Sequence, residues 1–110
     1  MAYEIRRALT ANRIDIYQCW LDTLRDRRAK LKIMTRVDRA GQGNFGVHHS
    51  VGEGVYELVI DYGPGYRVYY AMASREIVLL LGGGTKKLQQ NDVDQAKAIW
   101  QMVKEGNSNG

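Results

Sequence analysis

The sequence predicts a single α+β domain, and three observations carry that reading. Apolar residues recur at helical spacing before residue 40, follow strand-like runs between residues 48 and 81, and return to helical spacing from Asp92 onward. A short alternating stretch near the N-terminus adds one more strand ahead of the first helix. At 110 residues the chain suffices for one core and is short of two, so residues 1–105 are read as the domain. The polar end EGNSNG supplies a flexible tail over 106–110.

Taken in order, YEIRR alternates Tyr3 and Ile5 against Glu4 and Arg6, as a short strand with one buried face does. Ile14, Tyr17, Leu21 and Leu24 define an amphipathic helix over residues 11–24. Asp26 is placed to cap a second helix, RRAKLKIMTRVDRA, with Leu31, Met34 and Val37 as its apolar stripe and Gly41 as its C-terminal glycine. The two helices form a hairpin, and GQGNFG is a loop. Strands follow over 48–52, 55–61, 66–72 and 76–81. The last of them, EIVLLL, is apolar without alternation, which predicts an inner strand covered on both faces. Val93, Ala96, Ile99, Trp100 and Val103 then build a C-terminal helix.

Composition is that of a globular protein, with 45% hydrophobic and 25% charged residues. The lone Cys19 has no internal partner and reads as a small buried apolar side chain in a reducing compartment. The N-terminus lacks a signal-peptide core, and no apolar run approaches the roughly 20 residues a membrane span needs, so a soluble cytoplasmic protein is expected. Lys and Arg outnumber Asp and Glu by 16 to 12, a net charge of +4 that permits a polyanionic partner without requiring one. The basic residues concentrate between Arg25 and Arg39.

Several motif look-alikes fall away on context. Gly41, Gly43 and Gly46 satisfy G-x-G-x-x-G, but a dinucleotide site needs a strand before it and a helix after it, the reverse of the order here. GGGTKK resembles a phosphate loop in composition only. His48 and His49 are adjacent on a strand and point to opposite faces, so they cannot chelate one ion together, and no metal or other cofactor is expected.

The stretch YGPGYRVYY sets an arginine in a strand of aromatic and β-branched residues. Tyr66, Val68 and Tyr70 share one face; Arg67, Tyr69 and Ala71 share the other. On the preceding strand Tyr56, Leu58 and Ile60 face together, opposite Glu57, Val59 and Asp61. With Val68 and Tyr70 in the core, Arg67 and Tyr69 are expected on the outer, concave or solvent face. Strand geometry alone favours a cross-strand ion pair of Arg67 with Glu57 or Asp61.

The blocks GNFG, VGEGVYELVIDYGPGYRVYY, EIVLLLGGGTKK and DVDQAKAIW resemble the RelE/ParE superfamily of bacterial toxins, in its HigB-like addiction-module killer branch, from Tyr3 to about Val103. The resemblance implies a RelE-like fold, in which an N-terminal strand and helical hairpin pack on a small, mainly antiparallel sheet with a C-terminal helix. It implies a toxin that inhibits translation by cutting mRNA, typically on the ribosome, and a cognate helix-turn-helix antitoxin that covers the active surface in a hetero-oligomer.

Such cleavage uses the ribose 2′-hydroxyl as an internal nucleophile, so the protein must remove one proton, stabilise added negative charge and protonate the leaving oxygen. Arg67 matches the family's strand arginine, whose fork suits two phosphate oxygens. Lys86 matches the lysine after the glycine turn, with Lys87 assisting. His49 and Tyr69 are the candidate bases, and Tyr69 is alternatively a stacking platform for a nucleobase. The charges of the second helix, Arg27, Arg28, Lys30, Lys32, Arg36 and Arg39, either dock on RNA or the ribosome or form a solvated face.

The chain also departs from the pattern. Gly-Gly-Thr-Lys-Lys-Leu-Gln over 83–89 lacks an acid and hydroxyls found in the branch, Val59 replaces a basic residue, and LQQNDV has no equivalent of the C-terminal tyrosine of some members. Two alternatives therefore stand beside the nuclease: a ParE-like DNA gyrase poison, and a catalytically weak relic that only binds its antitoxin or nucleic acid.

Overall fold

The computed structural model describes residues 2–108. The chain runs β1 (Glu4–Arg7), α1 (Ile16–Thr23), α2 (Arg27–Gly41), β2 (His48–Gly52), β3 (Val55–Ile60), β4 (Tyr66–Ser74), β5 (Ile77–Thr85), a single 3₁₀ turn (Lys86–Leu88) and α3 (Gln89–Ser108). The strands form one sheet in the order β1-β5-β4-β3-β2. Only the β1–β5 pair is parallel, so the sheet is mainly antiparallel as expected.

Alternation along the strands builds a core on each side. Leu58, Ile60, Val68, Tyr70, Val78 and Leu80 face α1 and α2, which contribute Tyr17, Leu21, Ala29, Ile33, Val37 and Ala40. On the other face Val55, Tyr69, Ala71, Leu79 and Leu81 lie under Val93, Ala96 and Ile99 of α3. The continuous apolar run of β5 is explained by this sandwiching: its side chains enter both cores. The α+β architecture, with N-terminal strand, helical hairpin and C-terminal helix, is therefore present.

Local caps set the helix boundaries. Asp26 accepts from the backbone N–H of Arg28 at 2.9 Å and of Ala29 at 3.2 Å, as its spacing predicts. Asp15 does the same for α1 through Gln18 at 2.9 Å, which starts that helix later than the expected residue 11. Residues 10–14 instead close a tight turn, in which the Thr10 N–H donates to the Ile14 carbonyl, the Ile14 N–H donates to Thr10 Oγ1, and Arg13 has φ 64°. Ile14 is thus 45% exposed and is not part of the helix's apolar face.

The apolar stripe of α2 is also corrected. Leu31 and Met34 are 62% and 47% exposed, whereas Ala29, Ile33, Val37 and Ala40 are buried. Two alanines let the helix approach the sheet closely, and that approach selects the face. Gly41 ends the helix but is not its left-handed terminator; Gly43, at φ 94°, takes that conformation. Cys19 is exposed on α1, opposite the face that buries Tyr17 and Leu21. At the other end α3 continues through Gly106–Ser108, so the expected tail is helical that far, and its last residues, 109 and 110, lie outside the described residues. Among the described residues no helix is long and apolar enough to cross a membrane.

Candidate functional site

The ladder aligns the chemistry-bearing residues in two rows on the α3 face. One row reads Val59, Arg67, Gly84 across β3, β4 and β5; the next reads His49, Glu57, Tyr69, Gly82 from β2 to β5. A bulge maintains this phase. Tyr69 pairs with Gly82 but Tyr70 with Leu80, so Leu81 is an extra residue that turns Gly84 toward α3. A side chain at Gly84 would collide with the carboxylate of Asp92, so the glycine is what allows the first turn of α3 to settle on the sheet.

The turn before β4 brings the cations together. Gly65 donates to the Tyr62 carbonyl at 3.0 Å and accepts from the N–H of Lys86 at 3.1 Å, which joins this turn to the start of the 3₁₀ segment. At φ 83° Gly65 holds a conformation that few side chains adopt. A Cβ there would lie 3.4 Å from Lys86 Cβ and 3.8 Å from Arg67 Nη1. Arg67 and Lys86 therefore flank one glycine at the end of the sheet where β4 begins and β5 finishes. Lys86 and Lys87 are exposed and line an open cleft of about 470 Å³ with Gln89, Gln90, Val51 and Lys97.

Arg67 is not on an open face, because α3 covers that side of the sheet. Its side chain is 12% exposed, and Nη1 donates to the Tyr66 carbonyl at 3.1 Å. Nε is buried without a hydrogen bond, 3.7 Å from Glu57 Oε2. The cross-strand pair favoured by strand geometry is thus made with Glu57, and loosely. Glu57 is 5% exposed and accepts a better bond from Gln89 Nε2 at 2.8 Å.

Tyr69 changes role. It is fully buried, its hydroxyl has no hydrogen-bond partner, and burial, reinforced by Glu57 and Asp92, pushes its pKa far above that of a free phenol. Neither a proton acceptor at neutral pH nor a platform for a nucleobase fits that position; Tyr69 is a core residue. His49 lies exposed on the edge strand β2, opposite Glu57 and on the same face as Arg67. His48 faces the other way, its ring 5.7 Å from that of Phe45, as adjacency on a strand requires. Among the described residues no cluster of three His, Cys, Asp or Glu is placed to hold a metal ion.

The basic helix α2 packs on the opposite face of the sheet from Arg67. Its charges divide. Arg36 is a structural clamp, donating to the carbonyls of Val59, of Phe45 at 2.9 Å and of Val47 at 3.1 Å, and burial lowers its pKa. It also occupies the space beside Gly46, where the G-x-G-x-x-G stretch ends. Lys32 lies 5.1 Å from the centre of the Tyr62 ring, and Lys30 is half-buried. Arg27, Arg28 and Arg39 are exposed. Arg36 therefore leaves the expected RNA-binding set.

Sequence reasoning missed Gln89 and Lys97. Gln89 is hidden from a reading that starts the helix at Asp92, three residues after its real beginning. Lys97 does carry a signal in the sequence: it stands seven residues before Lys104, on one helical face.

Fold and corner together define a small α+β domain with a cationic corner where the ends of two inner strands meet a helix N-terminus. No family model matches the sequence and no solved structure matches it. The chain belongs to the same family as an uncharacterized protein of Haemophilus influenzae, 43% identical over 103 residues that take in 94% of this chain and 98% of the other.

Proposed function

We propose that the protein is the toxin of a type II toxin–antitoxin module, of the RelE/ParE superfamily and its HigB-like branch, and that it inhibits translation by endonucleolytic cleavage of mRNA on the ribosome. One juxtaposition carries the reading: Arg67 Nη1 and the Lys86 side chain flank Gly65 at one end of the sheet, a corner where a phosphodiester can meet both cations. In the reaction the 2′-hydroxyl attacks the neighbouring phosphorus, the P–O5′ bond breaks, and a 2′,3′-cyclic phosphate and a free 5′-hydroxyl result. Arg67 and Lys86, helped by Lys87, stabilise the charge that builds on the phosphoryl oxygens, each such donor being worth roughly 10² to 10³ in rate. His49, on the same sheet face, is the candidate proton acceptor for the 2′-hydroxyl. A helix-turn-helix antitoxin is the partner that masks this corner.

A second reading, a relic that binds without cutting, draws on the partial burial of Arg67 and its contact with Glu57. Inducing the protein in cells and mapping transcript ends tests both. Cuts in phase with codons, together with arrested protein synthesis, are the expected result. Arg67→Gln, which keeps a donor beside Glu57 while removing the charge, should abolish the cuts. Intact messages with gyrase-linked DNA breaks would select the ParE-like alternative, and neither effect would select the relic.

A further inference from the structure

The cleft at Lys86 does not end there. It meets a second open cleft of about 510 Å³ at Lys97, and this one runs along α3 to Lys104 beside the β2–β3 turn. Gln90, Lys97 and Lys104 stand seven residues apart and so repeat along one helical face. Four lysines, at 86, 87, 97 and 104, line the combined trough against one acid, Glu53. That acid is 72% exposed on its side chain and only 3.7 Å from Lys97 Nζ, a water-screened contact that a phosphate can replace. Lys104 shares that cleft with Glu53 and rests 5.5 Å from the Trp100 ring centre.

We infer that this trough is a track for single-stranded nucleic acid, in which Lys97 and Lys104 hold backbone phosphates outside the Arg67–Lys86 corner. Three features point to this occupant. The charge is predominantly positive, four lysines to one acid, and strung out in a line, which suits a repeating polyanion better than a compact acidic ligand. The line is continuous with the corner that would hold the scissile phosphate. The groups are lysines and glutamines without a pocket for a base edge, so the track reads backbone and not sequence. The exposed arginines of α2 lie across the sheet and cannot extend the same path. That the strand is RNA rests on the endonuclease reading; the track itself does not.

The test is binding of a labelled 2′-O-methyl oligoribonucleotide, which 2′-hydroxyl attack cannot cut, to the full chain over a range of salt concentrations. Replacing Lys97 and Lys104 by alanine should weaken binding and flatten the plot of log affinity against log salt by about 1.4, at roughly 0.7 for each lost phosphate contact on a single strand. Lys104→Ala alone, which leaves the Lys97–Glu53 pair in place, should give about half that change and guards against a folding defect. Arg27→Ala with Arg28→Ala, the comparison on the opposite side of the sheet, should flatten the slope less than the Lys97/Lys104 variant does. An unchanged slope in the Lys97/Lys104 variant, a loss confined to the α2 variant, or tighter binding of polyglutamate than of the oligonucleotide would each overturn the track. If the lysines matter while transcripts in cells stay whole, the track stands and the nuclease reading falls. If transcripts are cut and the slope is unchanged, the reverse holds.

Discussion

Arg67 and Tyr69 are two residues apart on one strand face and have opposite fates under α3. The guanidinium is long enough to carry Nη1 out to Gly65 and Lys86, while the phenol ends inside the core with its hydroxyl unpaired. A buried hydroxyl without a partner costs about 1–3 kcal/mol relative to a satisfied one. Tyr69→Phe removes that group without opening a cavity, so it should leave stability unchanged or raise it by up to about 1 kcal/mol. A thermal melt checks this, with any gain read as a rise of several degrees for a domain this small. If the proposed nuclease reading holds, RNA cutting should persist in the same variant; a stably folded Tyr69→Phe protein that no longer cuts would return the phenol to the mechanism. The contrast with Arg67→Gln, expected to fold and to lose activity, separates the residue that reaches the corner from the one that does not.

The orientation of α2 shows how much of an element its sequence discloses. The cap at Asp26 and the helix length were legible because they depend on local hydrogen bonding. The buried face was not, since Val37 belongs equally to a stripe through Leu31 and Met34 and to one through Ala29, Ile33 and Ala40. Tertiary contacts decide between them: the alanines allow close approach, and Arg36 pins the helix to the carbonyls of Phe45, Val47 and Val59. Ile33→Ala should accordingly cost about 2–5 kcal/mol in chemical denaturation. Leu31→Ala should stay within about 0.5 kcal/mol. Equal losses would mean that the helix is rotated from this position. Arg36→Met should destabilise the domain by about 1.5–3 kcal/mol through its charged hydrogen bonds. The candidate site divides along the same line. Strand alternation offered Arg67 a cross-strand partner in Glu57 or Asp61, because period two is a local property, and the structure selects Glu57. That α3 would lie over Tyr69 depended on a helix that begins at Gln89, behind a 3₁₀ turn with no conspicuous sequence cap.

At the scale of the whole molecule the two cores make a pH limit. Tyr17 and Tyr70 lie in the core under α1 and α2, and burial, the dominant cause for each, pushes both phenols up to about 12; Tyr66 in the same core and Tyr69 in the other are also raised. A folded-state pKa above the unfolded value of about 10 means that the native protein holds the proton more tightly than the unfolded chain. The resulting stability is fully present below about pH 10 and is lost as pH rises through the folded values toward 12. Discounted for solvent screening, each such phenol contributes on the order of 1–2 kcal/mol, against a total of about 5–15 kcal/mol for a domain. Two or more such groups consume much of that margin, so the fold should give way cooperatively between about pH 10 and 12. Phenolate absorbance followed together with far-ultraviolet circular dichroism tests this. The expected result is a late rise in absorbance that coincides with loss of secondary structure. A titration in which every tyrosine ionises near pH 10 with the fold intact would show that these rings are not sealed between the sheet and its helices.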